Sequence, residues 1–403
     1  MEFSELITFP NIKTLYLARF ISNFGNGMAP IALAFGVLAL PNGSAQLLGL
    51  VLGVQTTIFL IMTPFGGVIA DRYGRARMVG ICDLVGGLML FVQVAYFATG
   101  NVPTIVLLMV NGLFGILWGI WWPAFSGIMP AILPETALQR GNAVNSFVSN
   151  IGLILGAASA GFLVANFGAA LALGIDAATF VYSGIAIYGL RNLTPALQVV
   201  ENKVLKDLKD GWKVFISFRW IVVIVSCFSF IVMCWAAAEN VLGPLIALKH
   251  FDGAKSWSLV ISAESAGLII GSFIAFKIKL KYPMRFLMLS SFTLTFYIWS
   301  LAKPQSLLVI AFFAFLFGIT LDLWGSLWTT ALQTKVPREA LSRVTSFDAM
   351  GSLLFRPIGL AIAAPLSNLF GLSKFLTLAA ALTAIAIIIG LLDPQVRNMQ
   401  MKE

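Results

Sequence analysis

Long apolar runs alternate with short polar knots along the whole chain. A run of 18 or more apolar residues is the length of a membrane-crossing helix, because about 20 residues match a hydrocarbon core of about 30 Å. Twelve such segments are set off by proline, glycine and charge: 14–40, 47–70, 78–99, 103–130, 142–166, 168–190, 220–248, 256–277, 284–302, 305–332, 341–369 and 372–392. Segments 5 and 6 are parted only by the short break near 167–171. The pattern predicts an all-α membrane protein with twelve transmembrane helices.

Composition agrees with this pattern. Of 403 residues, 59% are hydrophobic and 11% charged, whereas a soluble domain carries about 25% charge. The start, "MEFSELITFPNIKTLYLARF", has two early acids and no apolar core followed by a small-residue cleavage site, so segment 1 is expected to act as its own insertion signal. Cys82, Cys227 and Cys234 lie in apolar runs without metal or redox spacing, and His250 is the only histidine. No metal site or other cofactor is expected. No G-x-x-x-x-G-K-[ST] stretch occurs, which argues against ATP hydrolysis.

The distribution of charge sets an orientation. With both termini in the cytoplasm of a cell-membrane protein, the cytoplasmic connections hold about twenty of the basic residues, among them Arg72, Arg75, Arg77, Lys206, Lys213, Lys279, Lys335 and Arg338. Only the loop after segment 7 runs against this bias. The formal charge of +9 then reflects topology and the anionic lipid of the bilayer, not nucleic acid. The longest polar connection, 191–219, places Val200, Val204, Leu208, Trp212 and Phe215 at helical spacing with lysines between them. It reads as an amphipathic helix on the membrane surface, or as a solvated linker.

The chain repeats itself. A shift of 203 residues aligns 113–168 with 316–371 without a gap, and sixteen of the fifty-six positions are identical. "LFGI" meets "LFGI", Trp121 meets Trp324, "LPETALQR" meets "VPREALSR", and "FG" meets "FG". Two six-helix bundles, 1–190 and 220–403 with the linker 191–219 between them, are therefore expected around a pseudo-two-fold axis along the membrane normal.

Between segments 2 and 3 stands "GGVIADRYGRAR", residues 66–77. It resembles the signature loop of the major facilitator superfamily, G-x-L-A-D-R-x-G-R-[RK]-x, at Gly67, Ala70, Asp71, Arg72, Gly74 and Arg75, with Ile69 as a conservative departure. "PAFSGIMPAILPETALQRGNAVNSF" at 123–147 is similar to the stretch after helix 4 in the drug, macrolide and siderophore exporters of that superfamily. The resemblance implies a secondary transporter working by alternating access. It points to export of amphipathic small molecules, with protons as the candidate coupling ion. An importer of a small metabolite, or a non-transporting receptor or assembly partner on the same scaffold, are the alternatives. The resemblance also implies a conformational gate. Asp71 would dock near residues 341–345, Arg75 would be its switching partner, Gly67 would permit close helix approach, and Gly74 would permit a tight turn. Arg72 would pair with carboxylates or lipid, or only fix topology.

A charge at a helix centre costs about 2.5–3.5 kcal/mol on the insertion scale, so each one needs a partner or a task. Asp322 and Arg356 fall at similar depth in segments 10 and 11 and form a candidate pair, structural or proton-responsive. Pro357 is expected to bend segment 11. Glu239 with Asn240, together with Glu264, forms a second candidate patch for a proton or cation, and Asp176 is a third buried acid. Arg19 and Asp83 are expected to make a local pair near the cytoplasmic boundary, or Arg19 to snorkel. Asn23 and Asn26 in "SNFGNGMAP" could bind substrate or interlock helices; exporters of this kind often have an acid where Asn26 stands. Trp121 and Trp324 are candidates for an aromatic cavity lining, or for interface anchors. The Gly-rich stretch at 152–161 has Ala157 where antiporters carry proline, which weakens the case for proton exchange.

Overall fold

A computed structural model describes residues 6–195, 212–278, 280–304 and 306–400. They are helical throughout, with no strand among them. The first six helices are α1 (Ile12–Leu38), α2 (Ala45–Tyr73), α3 (Arg75–Ala98), α4 (Thr104–Ser126), α5 (Glu135–Phe167) and α6 (Ala169–Tyr188). Helix α7 runs as Arg219–Trp235 and Gly243–His250 around a wide π-helical stretch, Ala236–Leu242. Helix α8 is Ala254–Lys277, and α9 is split into Pro283–Ser290 and Phe292–Ala302. Helix α10 is Leu307–Lys335, α11 is split into Arg338–Leu353 and Arg356–Phe370, and α12 is Leu372–Leu392.

Among the described residues, eleven helical stretches are long and apolar enough to cross a membrane. The twelfth expected segment, 284–302, is the split α9. Its break is chemical, not a matter of hydropathy. The Leu287 carbonyl accepts from the Ser291 N–H at 3.0 Å and from the Ser290 and Ser291 hydroxyls at 2.9 Å each. Hydroxyls that bond back to the preceding turn in this way bend helices.

The chain divides into two compact units, Met1–Val200 with Gly253–Ser258, and Glu201–Asp252 with Leu259–Glu403. In the first unit α2 packs along α4, α5 and α6 pack along α1, and α3 packs along α6. In the second, α9 packs against α12 and α10, and α7 against α11 and α12. Of the linker residues expected to be amphipathic, Val200, Val204 and Leu208 lie outside the described residues. Trp212 and Phe215 lie on a short helix, 212–217, and both rings rest on Phe347, at 5.5 and 5.9 Å between centroids.

The sequence repeat has a physical basis inside each unit. In "LFGI", a Cβ on Gly115 would overlap the Gln55 carbonyl of α2, and one on Gly318 would overlap the Glu264 carbonyl of α8. The glycine thus lets the second helix of each unit lie directly on the fourth. In "FG", Gly168 (φ 82°) and Gly371 (φ 88°) each make a one-residue joint between consecutive helices, in a region of backbone space that L side chains avoid.

Candidate functional site

Two irregular helices face each other within the second unit. Pro244 carries no N–H for the carbonyl four residues back, that of Asn240, and its ring crowds that carbonyl. The turn upstream widens into the π stretch Ala236–Leu242, and α-helix resumes at Gly243. Such wide turns are frequent at functional sites. Pro357 acts similarly on Leu353, the last residue of the first half of α11. Across that break the Phe355 N–H donates to the Ser229 hydroxyl of α7 at 3.3 Å, and Gly359 lies tight against the Met233 backbone.

Glu239 sits in the π stretch and is buried, 6% exposed, as is Glu264 of α8, at 7%. Glu239 Oε2 accepts from Trp235 Nε1 at 2.7 Å, and Oε1 accepts weakly from Asn240 Nδ2 at 3.4 Å. The two carboxyl groups lie beside each other. The Tyr297 hydroxyl of α9 lies beside Glu239 without a well-formed hydrogen bond. Arg356, the first residue after the α11 break, donates to Asn240 Oδ1 at 3.3 Å and interacts electrostatically with Glu239. Glu264 Oε2 has no hydrogen-bond partner. Charge counting decides what this arrangement can do. One guanidinium offsets one carboxylate, and two ionised carboxyls in contact within an apolar core are prohibitively costly. The second carboxyl must hold a proton or face a cation.

Beside this cluster is a small aromatic pocket whose walls include Phe228, Trp235, Phe317 and Trp324, with Ser291 and Thr320 as its hydroxyls. Phe228 stacks on Trp324 at 4.6 Å, and Trp235 meets Phe317 edge-on at 5.2 Å. Trp324 Nε1 donates to Ser291 Oγ at 2.8 Å, and Thr320 pairs with Thr293 at 2.8 Å, so both hydroxyls are already engaged.

The other expected residues are placed as follows. Asp322 and Arg356 are not brought together: Arg356 turns to Asn240 and Glu239, while Asp322 Oδ2 is buried without a partner and its Cβ lies close to Gly271 of α8. The expectation rested on equal depth, which does not fix the direction in which each side chain leaves its helix. Gly67 is not the close-approach glycine. It meets only Pro123 at 3.9 Å, whereas a Cβ on the adjacent Gly66 would overlap the Gly119 carbonyl. Asp71 Oδ1 accepts from Arg75 Nε at 2.9 Å, and the Arg75 guanidinium lies over Gly127. Arg72 leans over its neighbour Tyr73 at 5.7 Å, and Gly74 (φ 92°) forms the turn between α2 and α3. The side chains of Arg338, Ser342 and Arg343 lie outside the described residues.

In the first unit, Asn23 bonds within its own helix to the Arg19 carbonyl at 2.8 Å and packs against Gly152 of α5; Asn26 reaches Ser22 at 3.5 Å. Trp121 stacks on Phe125 at 4.8 Å, and the Arg19 guanidinium covers both rings at 4.9 and 4.5 Å. Arg19 is partly buried over these rings. It interacts electrostatically with Asp83, which accepts from the Ser183 hydroxyl at 2.7 Å. Asp176 is buried with Oδ1 unpartnered, close to Gly25 of α1.

A Major Facilitator Superfamily profile matches residues 15–360. The chain belongs to the major facilitator superfamily. It is accordingly a multi-pass membrane transporter of small molecules. Among superfamily relatives, it is 22% identical to macrolide efflux protein A of Streptococcus pyogenes over 408 residues, which span 96% of this chain and 97% of that protein. It is 25% identical to the enterobactin exporter EntS of Citrobacter koseri, over 89% of this chain and 88% of that one. It is 25% identical to the multidrug efflux pump Tap of Mycolicibacterium fortuitum, over 96% of each. The fold matches the nucleoside transporter NupG with a TM-score of 0.77 at 12% identity, covering 94% of this chain and 99% of that one.

Two residues of the site escaped sequence reading. Trp235 stands four positions before Glu239, a spacing that puts an indole donor on the acid's own helix face. Tyr297 is fully buried at the cluster and carries no local motif. Asp348 of α11, away from this cluster, accepts from Trp328 Nε1 at 2.8 Å.

Proposed function

We propose that this transporter is an antiporter that exports bulky amphipathic molecules across the cell membrane by alternating access, in exchange for protons held at the Glu239–Glu264 pair. The carboxyl pair with a single guanidinium carries the reading: it is a buried site that is neutral with one proton aboard and acquires net charge without it. Relatives along nearly the full length that are named for efflux of macrolides, enterobactin or drugs support the export direction. The lysine and arginine bias supports cytoplasmic termini, and it accounts for the positive charge without nucleic acid. Asp71, Arg72 and Arg75 belong to the gate in this reading, with the Asp71–Arg75 pair made and broken during the cycle. Asp322 and Asp176 are secondary candidates for charge coupling, and Asn23, Asn26 and Trp324 for substrate contact.

Everted vesicles with an acid interior test this directly. Addition of lipophilic cations, macrolides or siderophores is expected to collapse the pH gradient for at least one compound, only when the protein is present, and not in Glu264→Gln. Protein-dependent uptake of the same compound that leaves the gradient intact would refute proton exchange. Silence across the panel with folded protein would refute export of this substrate class.

A further inference from the structure

The fourth helix of each unit carries an aromatic pair one turn apart. The shift of 203 residues maps Trp121 and Phe125 of α4 onto Trp324 and Trp328 of α10. In each unit the first helix covers the pair, but with different chemistry. In the second unit the cover is aromatic: Phe228 of α7 lies on Trp324 at 4.6 Å, and Trp220 meets Trp328 at 5.4 Å. Both indole N–H groups there are engaged, Trp324 with Ser291 and Trp328 with Asp348, each at 2.8 Å. In the first unit the cover is a cation. The Arg19 guanidinium of α1 lies over the Trp121 and Phe125 rings, which are parallel to within 3°. Here the donors are not engaged, since Arg19 Nε and Trp121 Nε1 are both buried without a hydrogen-bond partner. Leaving a buried donor unpaired costs about 1–3 kcal/mol. The carboxylate that faces both groups is Asp83 of α3, which is buried and accepts from the Ser183 hydroxyl at 2.7 Å. Arg19 thus rests on the rings with an acceptor close by that its Nε does not use.

We propose that Arg19 is a tethered occupant of an aromatic cation site, and that a guanidinium or ammonium group of a substrate takes the rings when Arg19 swings to Asp83. The inference goes beyond the proton-exchange reading and depends neither on its acid pair nor on the direction of transport. A cation over the face of a tryptophan is attracted by the ring whether it belongs to the chain or to a ligand. The space needed is that of one guanidinium, which the departing side chain itself vacates. Arg19, Trp121 and Phe125 are each partly exposed, so the stack is not sealed in the core. At Asp83 the Arg19 Nε gains the acceptor it lacks on the rings, and a charge-assisted bond of this kind is stronger than a neutral one. That gain offsets the ring contact given up. The pair in the second unit is built for permanence, because its cover is ring on ring and both of its indoles are tied.

Equilibrium dialysis of phenethylguanidinium against the purified full chain in nanodiscs, corrected for empty discs, reads binding without flux or a pH gradient. Its outcome is therefore separate from that of the vesicle assay. The variant R19M/D83N removes the tethered cation and its carboxylate together, which keeps the buried charge balanced. It is expected to bind the probe about two- to fivefold more tightly than wild type, the worth of one cation–π contact freed from competition. Adding Trp121→Leu is expected to cancel the gain. Uncharged phenethylurea, of nearly the same shape, is expected to respond to neither change. Arg19→Gln, which keeps a donor toward Asp83, is expected to show the same gain and guards against a fold defect in the double variant. Binding no tighter than wild type in both Arg19 variants would overturn the proposal, as would a gain that survives Trp121→Leu or that phenethylurea shares. Absence of probe binding to all of these proteins would overturn it as well.

Discussion

Replacing Arg356 by methionine keeps an unbranched stem, shortens the side chain by two atoms and removes its charge. In the structure that charge faces Glu239 and holds Asn240 Oδ1 at 3.3 Å, directly after a helix break. The variant leaves a buried carboxylate with Trp235 as its main donor and no cation. Breaking a buried ion pair from one side costs about 3–5 kcal/mol. At about 2–4 °C per kcal/mol for a domain of roughly this size, the melting temperature should fall by about 6–20 °C. The double variant R356M/E239Q removes both charges and should recover most of that loss, giving a coupling of about 2–3 kcal/mol for groups in one network. Thermal unfolding in detergent, followed by size exclusion, measures all four proteins of the cycle. If the two single losses simply add, the charges do not act on each other, and the assignment of Arg356 to this cluster is wrong.

Two further expectations concern other parts of the molecule. Gly318→Val places a side chain on the Glu264 carbonyl and should cost about 1–3 kcal/mol of stability, whereas Gly325→Ala, with open space around it, should be nearly silent in the same melting assay. Asp71→Asn should abolish most transport while leaving expression and melting temperature unchanged, because its ion pair with Arg75 is about a third exposed on each side and such pairs contribute only about 0–1 kcal/mol; normal flux in a well-expressed protein would remove Asp71 from the gate.

Much of this architecture was legible because the bilayer imposes a length: eleven apolar runs became helices close to where they were read. Segment 9 broke the rule through Ser290 and Ser291, whose hydroxyls compete for one backbone carbonyl and leave hydropathy untouched. The candidate site was half legible. Glu239, Asn240 and Glu264 stood out as polar groups in apolar runs, and the structure groups them. The Asp322–Arg356 pairing did not form because depth along a helix was readable, but the direction in which each side chain leaves its helix was not. Gly66 and Gly67 illustrate the same limit, since adjacent residues differ by about 100° around the helix. Trp235 was visible as a tryptophan, but its partner depended on the π stretch.

Because Pro244 can neither donate to the Asn240 carbonyl nor tolerate it close by, the wide turn of α7 is pinned to the stretch just before it. The two regular segments of α7 are therefore phased independently of each other. A residue added or lost within the stretch would turn the second segment by about 100° and shift it by about 1.5 Å relative to the first, while each segment keeps its own hydrogen bonds. The helix works here like a coupling between two shafts, and Glu239 sits in the coupling.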